Sequence, residues 1–462
     1  MKIGIVSYGY GWVPCESGPN RFYYIAKAFC DAGWKVDLVG PSFQHFEKKP
    51  RDREKIAAQN YPFKVRYIDN PPYNKNIDLR RIHSNAVAAK NVDKTLSGTD
   101  YDLIYCSIPA NNVAAEVTAF AKRNNIPLII DVEDIWPEAM EMVIKNKLMR
   151  RIIFPYFMKD AEKVYASCDA VIGTSEDYTE RATKYNHRDI PMSTVYVGVD
   201  LSVFDAGVRK YTTAENIPES AGEIFESDKA NDDKITDEKN IDKICKPSGE
   251  LWVSYAGSLG QSYDIETLIR AAKKLEDFEN KNDWDKKNNN IYENSTVSDE
   301  AHGKPINSYS KVRFKLLGTG PNMESLQALT KELGATNVEF LGYTAYPKMA
   351  AYLNQSDIVV NSFIKGAPQS IPNKIGDYLA SGSAIISTLE NPVAKALLDN
   401  NDCGLNVEPG NVDALFDVIK RLIDDEDLRK RQGRNARILA ESRFDRAVSY
   451  QEIVRMADRL AK

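Results

Sequence analysis

The chain has 462 residues, 43% apolar and 27% charged, with a net charge of −5 at neutral pH. That length exceeds what one hydrophobic core supports, so two domains are expected, and no apolar run approaches the length of a membrane-spanning helix. The acidic balance argues against wholesale nucleic-acid binding, and the 6 cysteines, scattered singly without a C-x-x-C pair, imply neither a disulfide framework nor a zinc site. They are expected to be small buried hydrophobes, and the histidines His45, His83, His187 and His302 lack metal-ligand spacing.

In chain order, Met1 to Ser7 enters a strand directly, without the long apolar core and small-residue cleavage site of a secretory signal, so a cytoplasmic location is expected. Apolar runs predict strands at Ile3–Ser7, Val36–Val39, Val65–Ile68, Leu103–Ser107, Pro127–Asp131, Ala170–Gly173 and Ser193–Val197, with amphipathic helices between them. This alternation is the grammar of an α/β domain with a parallel sheet, and it spans residues 1–204. Residues 205–250 turn polar, acidic and lysine-rich, and predict an insertion or linker. The alternation resumes at Leu251–Gly257 and defines a second domain over 251–443, with a polar insert at 278–311, leaving a terminal helical stretch at 444–462 expected to pack back on the first domain.

Ligands of open parallel sheets bind beyond the carboxyl ends of the strands, so the loops there carry the candidate chemistry. The first, from Ser7 through Gly18, Asn20 and Arg21, is glycine-rich but not a strict G-x-G-x-x-G, and no acid ends the second strand, so a dinucleotide cofactor is not implied. The second, Asp131-Val132-Glu133-Asp134-Ile135-Trp136-Pro137-Glu138, crowds carboxylates that raise one another's pKa, as suits a proton acceptor; N-capping by Asp134 is the plain alternative. In the second domain, Gly257, Ser258 and Gly260 follow one strand, Gly318 and Gly320 another, and Tyr343 a third. Each is a phosphate-cradling loop or an ordinary strand-to-helix turn. The stretch Ser370 to Ser387 reads as a loop feeding a helix that starts at Lys374 and carries Asp377 one turn later, a layout that suits a nucleotide diphosphate, lysine to phosphate and carboxylate to ribose.

This ordered series resembles the GT-B glycosyltransferases, most of all the family 4 retaining enzymes that build bacterial surface polysaccharides. Gly18 to Arg21 resembles the acceptor loop, Asp134 to Glu138 the D-L-W-P-E element of a subgroup, Gly173 to Glu176 the V-S-E turn, and Val197 to Phe204 the N-G-V-D-x-x-x-F segment. The resemblance covers nearly everything outside the two polar inserts. It implies two Rossmann-like domains with parallel sheets facing a central cleft, and transfer of a sugar from a nucleotide donor, UDP favoured, to a glycan or lipid-linked glycan. It further implies retention at the anomeric carbon, without cofactor or metal. The triplet Asp283-Trp284-Asp285 imitates a metal-binding D-x-D but lies in low-complexity sequence and is set aside.

Carried over residue by residue, Asp377 matches the second acid of the E-x7-E pattern and falls to the ribose. The first acid becomes Gln369, which hydrogen-bonds sugar hydroxyls but cannot offset positive charge on the sugar ring. The family's diphosphate-binding Arg and Lys fall near Ser258 and Tyr263, leaving Lys374, with Lys365 in reserve, to neutralise the leaving diphosphate. The resemblance thus gives Asp134, Lys374 and Gln369 as catalytic. Gly257, Ser258, Gly260, Gly318, Gly320, Tyr343, Ser370 and Asp377 fall on the donor side, and Gly18, Asn20, Arg21 and Glu133 on the acceptor side. The departures at Gln369, Ser258 and Tyr263 keep open a non-catalytic glycosyltransferase-like binding subunit, and the shared donor cleft keeps open a sugar-nucleotide epimerase or hydrolase. Segments Lys145–Phe157 and Lys48–Arg53 are candidates for membrane-surface contact, against the simpler reading of solvated elements packed on the core.

Overall fold

The computed structural model describes residues 1–8, 13–17, 20–45, 47–75, 78–134, 136, 147–212, 243–289 and 309–461. They form two compact units, one of Met1–Val197 with Arg446–Lys462, the other of Gly198–Asp445.

In the first unit, strands β1 (Lys2–Val6), β2 (Lys35–Pro41), β5 (Lys64–Ile68), β6 (Leu103–Ile108), β7 (Leu128–Val132), β8 (Ala170–Gly173) and β9 (Met192–Thr194) form one sheet in the order β5-β2-β1-β6-β7-β8-β9. A small antiparallel ribbon, β3 (Phe43–Gln44) with β4 (Lys49–Pro50), follows β2. All pairings in the main sheet are parallel, with Ile3 opposite both Val36 and Leu103. The central strands β1, β6, β7 and β8 are buried on both faces, which is why they read as largely apolar runs. On one face Val6, Ile104, Ile130 and Val132 pack with Val92, Val117 and Val164. On the other, Ile3, Ile5, Leu103 and Ile129 pack with Phe22, Ile25 and Phe29 of the helix Arg21–Asp31 and with Tyr450, Ile453 and Met456 near the carboxyl terminus.

The second unit holds β10 (Leu251–Ala256), β11 (Val312–Leu317), β12 (Val338–Gly342), β13 (Ile358–Asn361), β14 (Ala384–Ser387) and β15 (Gly404–Asn406), all parallel, in the order β12-β11-β10-β13-β14-β15. In both sheets the strand order reverses beside the first strand, between β1 and β6 and between β10 and β13, the switch points at which doubly wound sheets open a crevice.

Several expectations need correction. The boundary falls at 197/198 rather than 204, because the helix Leu201–Tyr211 belongs to the second unit, where it crosses the helix Tyr346–Asn354. Its Gly207 has no room for a side chain, since a Cβ there would lie 2.7 Å from the Pro347 backbone. The expected linker from 205 therefore begins inside an ordered helix, and Ile244 is buried against Trp252 and Ala351; residues 213–242 lie outside the described residues. The polar insert expected from 278 begins within a helix that runs to Asn289: Phe278 packs against the rings of Tyr309 and Phe416, and the buried Glu279 carboxylate accepts from the Tyr309 amide. Cys245 is exposed and Cys15 and Cys30 are half-buried, whereas Cys106, Cys168 and Cys403 are buried. Among the described residues no helix is long and apolar enough to cross a membrane.

Candidate functional site

The switch point of the second unit brings together the end of β10, the loop after it and the loop after β13. Lys374 opens the helix Lys374–Ala380, and its amine sits 3.9 Å from the ring centroid of Tyr263, 4.3 Å from that of Tyr255 and 5.4 Å from that of Phe363. It donates to the Tyr255 hydroxyl at 3.1 Å, and that hydroxyl donates to the Ser258 carbonyl at 2.7 Å. No carboxylate among the described residues pairs with the amine, and burial alone holds its pKa down to about 7. An ammonium so placed is held by ring quadrupoles rather than by an anion, and is available to one.

Around it the glycine loops are tied to each other. Gly257 donates to Leu317 at 2.9 Å, Leu259 to Thr319 at 3.0 Å, and Gly318 to Gly342 at 2.7 Å. Gly318 adopts φ +136°, and a Cβ there would lie 1.8 Å from the Gly257 carbonyl oxygen, so only glycine lets the two loops touch. Gly257 faces the lysine directly: a Cβ there would lie 2.9 Å from the Lys374 amine. Gly318→Ala is expected to weaken UDP binding by about tenfold or more, since the Gly257 loop must move away from the amine. Calorimetric titration of UDP measures it, and an unchanged affinity would remove these loops from the site.

The remaining donor-side residues fall into place unequally. Asp377, one turn beyond Lys374, accepts from the Tyr346 hydroxyl at 2.7 Å. Ser370 is buried, Ser258 is exposed, and the Gly260 carbonyl accepts from Tyr263 at 3.2 Å. Gly320 makes the turn into the helix Met323–Leu333, its carbonyl accepting from Met323 at 3.1 Å. Tyr343 projects into solvent at 81% exposure, away from any packing role. The Gln369 side-chain oxygen is buried and accepts no hydrogen bond, so it is poised for a donor from outside the protein. Lys365, the reserve cation, lies in solvent 4.0 Å from Glu408. The helix after β10 does not present a bare positive end, because the Asp264 carboxylate accepts from Thr267 in its first turn at 3.1 Å.

On the first unit two acceptor-side expectations are corrected. Asn20 caps the helix Arg21–Asp31, its side chain accepting from Phe22 and Tyr23 at 3.1 and 3.2 Å. Arg21 is 3% exposed and makes a two-pronged pair with Asp131 at 2.7 and 3.3 Å; it also donates to the Tyr196 carbonyl at 2.9 Å, while Tyr105 donates to Asp131 at 2.7 Å. Burial opposes the charge on Arg21, but Asp131, Tyr450 and Tyr105 hold its pKa well above the ordinary value. It is a core ion pair, closed to substrate. Glu133 and Asp134 follow β7 and are half-buried. Burial, then Asp131, and last Asp134 push the Glu133 carboxyl up to about 8 against the opposing pull of Arg21, so its proton stays on at neutral pH. Gly18, Ile135, Pro137 and Glu138 lie outside the described residues. Among the described residues no group of three or more His, Cys, Asp or Glu side chains is placed to hold a metal.

The aromatic enclosure of Lys374 was not legible in advance. Tyr263 registers in the sequence only as a missing cation; in the structure its ring lies over the cation that replaces it.

Residues 19–203 match the family model described as Glycosyltransferase Family 4, and residues 299–425 the model described as Glycosyl transferases group 1. An uncharacterized glycosyltransferase of Methanocaldococcus jannaschii is 23% identical over 156 residues; the match spans 34% of this chain and 39% of the length of that curated relative. Among solved structures, sucrose-phosphate synthase from Thermosynechococcus elongatus superposes with a TM-score of 0.62 at 14% identity, covering 99% of this chain and 98% of that one. Anabaena HepE in complex with UDP gives 0.62 at 16% identity, covering 99% and 100%. The fold is therefore GT-B, two Rossmann-like units, and the two family matches along one such chain support a glycosyltransferase.

Proposed function

We propose that this chain transfers a sugar from a UDP-sugar to a glycan or lipid-linked glycan in polysaccharide synthesis, with retention at the anomeric carbon and without metal or cofactor. The observation that carries this reading is the Lys374 amine, enclosed by Tyr255, Tyr263 and Phe363 beside Gly257 at the switch point of the second sheet. UDP is favoured because HepE, of the same fold, is a UDP complex.

In this mechanism the diphosphate lies against Lys374 and the linked loops of Gly257 and Gly318. Asp377 meets the ribose diol, exchanging its bond from Tyr346 for one from the nucleoside. The Gln369 oxygen takes a sugar hydroxyl as donor. As the glycosidic bond breaks, the leaving phosphate gains negative charge, which the ammonium opposes in a poorly solvated setting where such an interaction is strong. A donor phosphate oxygen accepts the acceptor hydroxyl's proton, and Asp134 orients that hydroxyl with Glu133 beside it.

Incubating the protein with UDP-, GDP- and dTDP-sugars, with and without lipid-linked acceptors, and following nucleotide release tests the proposal. Release that requires acceptor supports transfer; release without acceptor supports a hydrolase, and binding without turnover a non-catalytic subunit.

The amine's lowered pKa has a sign that a titration reads. In the free protein Lys374 loses its proton near pH 7, whereas the bound diphosphate holds the proton on. UDP affinity is therefore expected to fall by about tenfold per pH unit above pH 7, until the bound-state pKa is passed. Affinity that is flat from pH 7 to 9 would mean that Lys374 does not touch the diphosphate.

A further inference from the structure

The surroundings of Lys374 suit a second chemistry besides holding a diphosphate. Its amine donates to the Tyr255 hydroxyl at 3.1 Å, and that hydroxyl has already given its own proton to the Ser258 carbonyl at 2.7 Å. Tyr255 therefore accepts from the lysine and offers nothing to cap a lone pair once the ammonium loses a proton. The other close neighbours are the ring faces of Tyr263, Tyr255 and Phe363, which attract an ammonium and leave a neutral amine without a hydrogen-bond donor. On a further side lies the space that a side chain at residue 257 would fill, 2.9 Å from the nitrogen and left open by glycine.

Burial brings the amine down to about 7, so about half of it is neutral at pH 7, against roughly one in a few thousand for an ordinary lysine. The titratable groups facing it are phenols: burial, more than any neighbour, raises both Tyr255 and Tyr263, so they carry no charge at neutral pH. Asp377, one turn along the same helix, accepts from the Tyr346 hydroxyl. An uncapped, neutral amine in an apolar enclosure is a nucleophile.

We propose that Lys374 is a site of covalent acylation by an acyl phosphate, whose phosphate group rests on the linked loops of Gly257 and Gly318. Such a reagent carries its electrophilic carbonyl carbon one oxygen away from phosphorus, so a phosphate seated beside the amine brings that carbon to the nitrogen. The lone pair adds to the carbonyl carbon and the bond from that carbon to the bridging oxygen breaks. Inorganic phosphate leaves with the electron pair, and the proton shed by nitrogen goes to water. The product is an uncharged amide filling the same enclosure, with no cation left for a diphosphate, which makes the modification an off-switch for donor binding. That last consequence rests on the glycosyl-transfer reading; the acylation itself does not.

The test uses the intact protein with acetyl phosphate at pH 7, acetylation of each lysine being followed over time by peptide mass spectrometry. Lys374 is expected to react about tenfold or more faster than the median of the other lysines. That preference should shrink from pH 7 to pH 10, as the others lose their protons too. Inorganic phosphate at matched ionic strength and UDP are each expected to slow Lys374 by about tenfold when saturating, leaving the other lysines unchanged, because an anion at the seat both blocks the reagent and keeps the proton on nitrogen. Protein acetylated at Lys374 is expected to bind UDP about tenfold or more weakly by calorimetry. Acetylation of Lys374 no faster than the median overturns the proposal, whatever UDP does, and requires no variant to fold. A preference that inorganic phosphate does not slow overturns it as well, because the reagent would then not be seated by its phosphate. Slowing by phosphate without slowing by UDP upholds the acylation and counts against the donor assignment alone.

Discussion

Lys374→Met is expected to lower kcat/KM for the nucleotide sugar by about two to three orders of magnitude while raising the protein's thermal stability. The two effects have one cause. The amine is buried among three rings without a carboxylate, and its pKa in the folded chain is about 7 against an ordinary value near 10.4. The unfolded chain therefore holds that proton more tightly, and folding suffers the full penalty below pH 7. The penalty fades as pH rises toward the unfolded value. At pH 7 it is on the order of 4 kcal/mol. Methionine keeps the apolar contacts with Tyr255, Tyr263 and Phe363 and removes the charge, so it relieves the strain and deletes the diphosphate's partner together. Melting curves from pH 6 to 10 separate these contributions: the variant's advantage should shrink steadily as pH rises. A gap that does not vary with pH would show that the lysine is solvated in the free protein, and unchanged turnover would move the diphosphate elsewhere.

What the sequence made legible, and what it did not, follows from how far apart the interacting residues lie. The apolar runs at the centre of the first sheet announce themselves because strands buried on both faces tolerate little else, and β1, β2, β6, β7 and β8 lie within one or two residues of the runs that predict them; the edge strand β5, half-buried and carrying Lys64 and Arg66, is found as closely from Val65, Tyr67 and Ile68. The helix Leu201–Tyr211 shows its amphipathic pattern equally well, but periodicity reveals that a face is buried, not against which core; here that core is the second unit's. The same limit applies to the candidate site. Lys374, Gly257 and Gly318 stand out through local loop chemistry, whereas Tyr255 and Tyr263 converge with Phe363 from two segments far apart in the chain and carry no shared spacing. Arg21 misleads for a related reason. Beside a glycine-rich loop it reads as a ligand-binding cation, and its true partner is 110 residues away at Asp131.

Arg21→Ala is accordingly expected to destabilise the protein by about 3–5 kcal/mol, a far larger effect than an exposed acceptor-binding arginine would show. Deleting the guanidinium strands the Asp131 carboxylate, which has no surface exposure and retains, among the described residues, only the Tyr105 hydroxyl as a side-chain donor. The same change removes the donor to the Tyr196 carbonyl and the stacking partner of Tyr450, 5.1 Å from the guanidinium, which helps fix the returning carboxyl-terminal segment on the first unit. Arg21→Lys should recover only part of the loss, because a single ammonium cannot reproduce a two-pronged bond and reach Tyr196 as well. The double change Arg21→Met with Asp131→Leu should cost less than Arg21→Ala alone, since no charge is left buried, although the Tyr105 hydroxyl then lacks its acceptor. Chemical denaturation of the four proteins measures the cycle. If Arg21→Ala instead kept its stability and raised only the KM for acceptor, the ion pair would be incidental and the arginine would belong to the substrate.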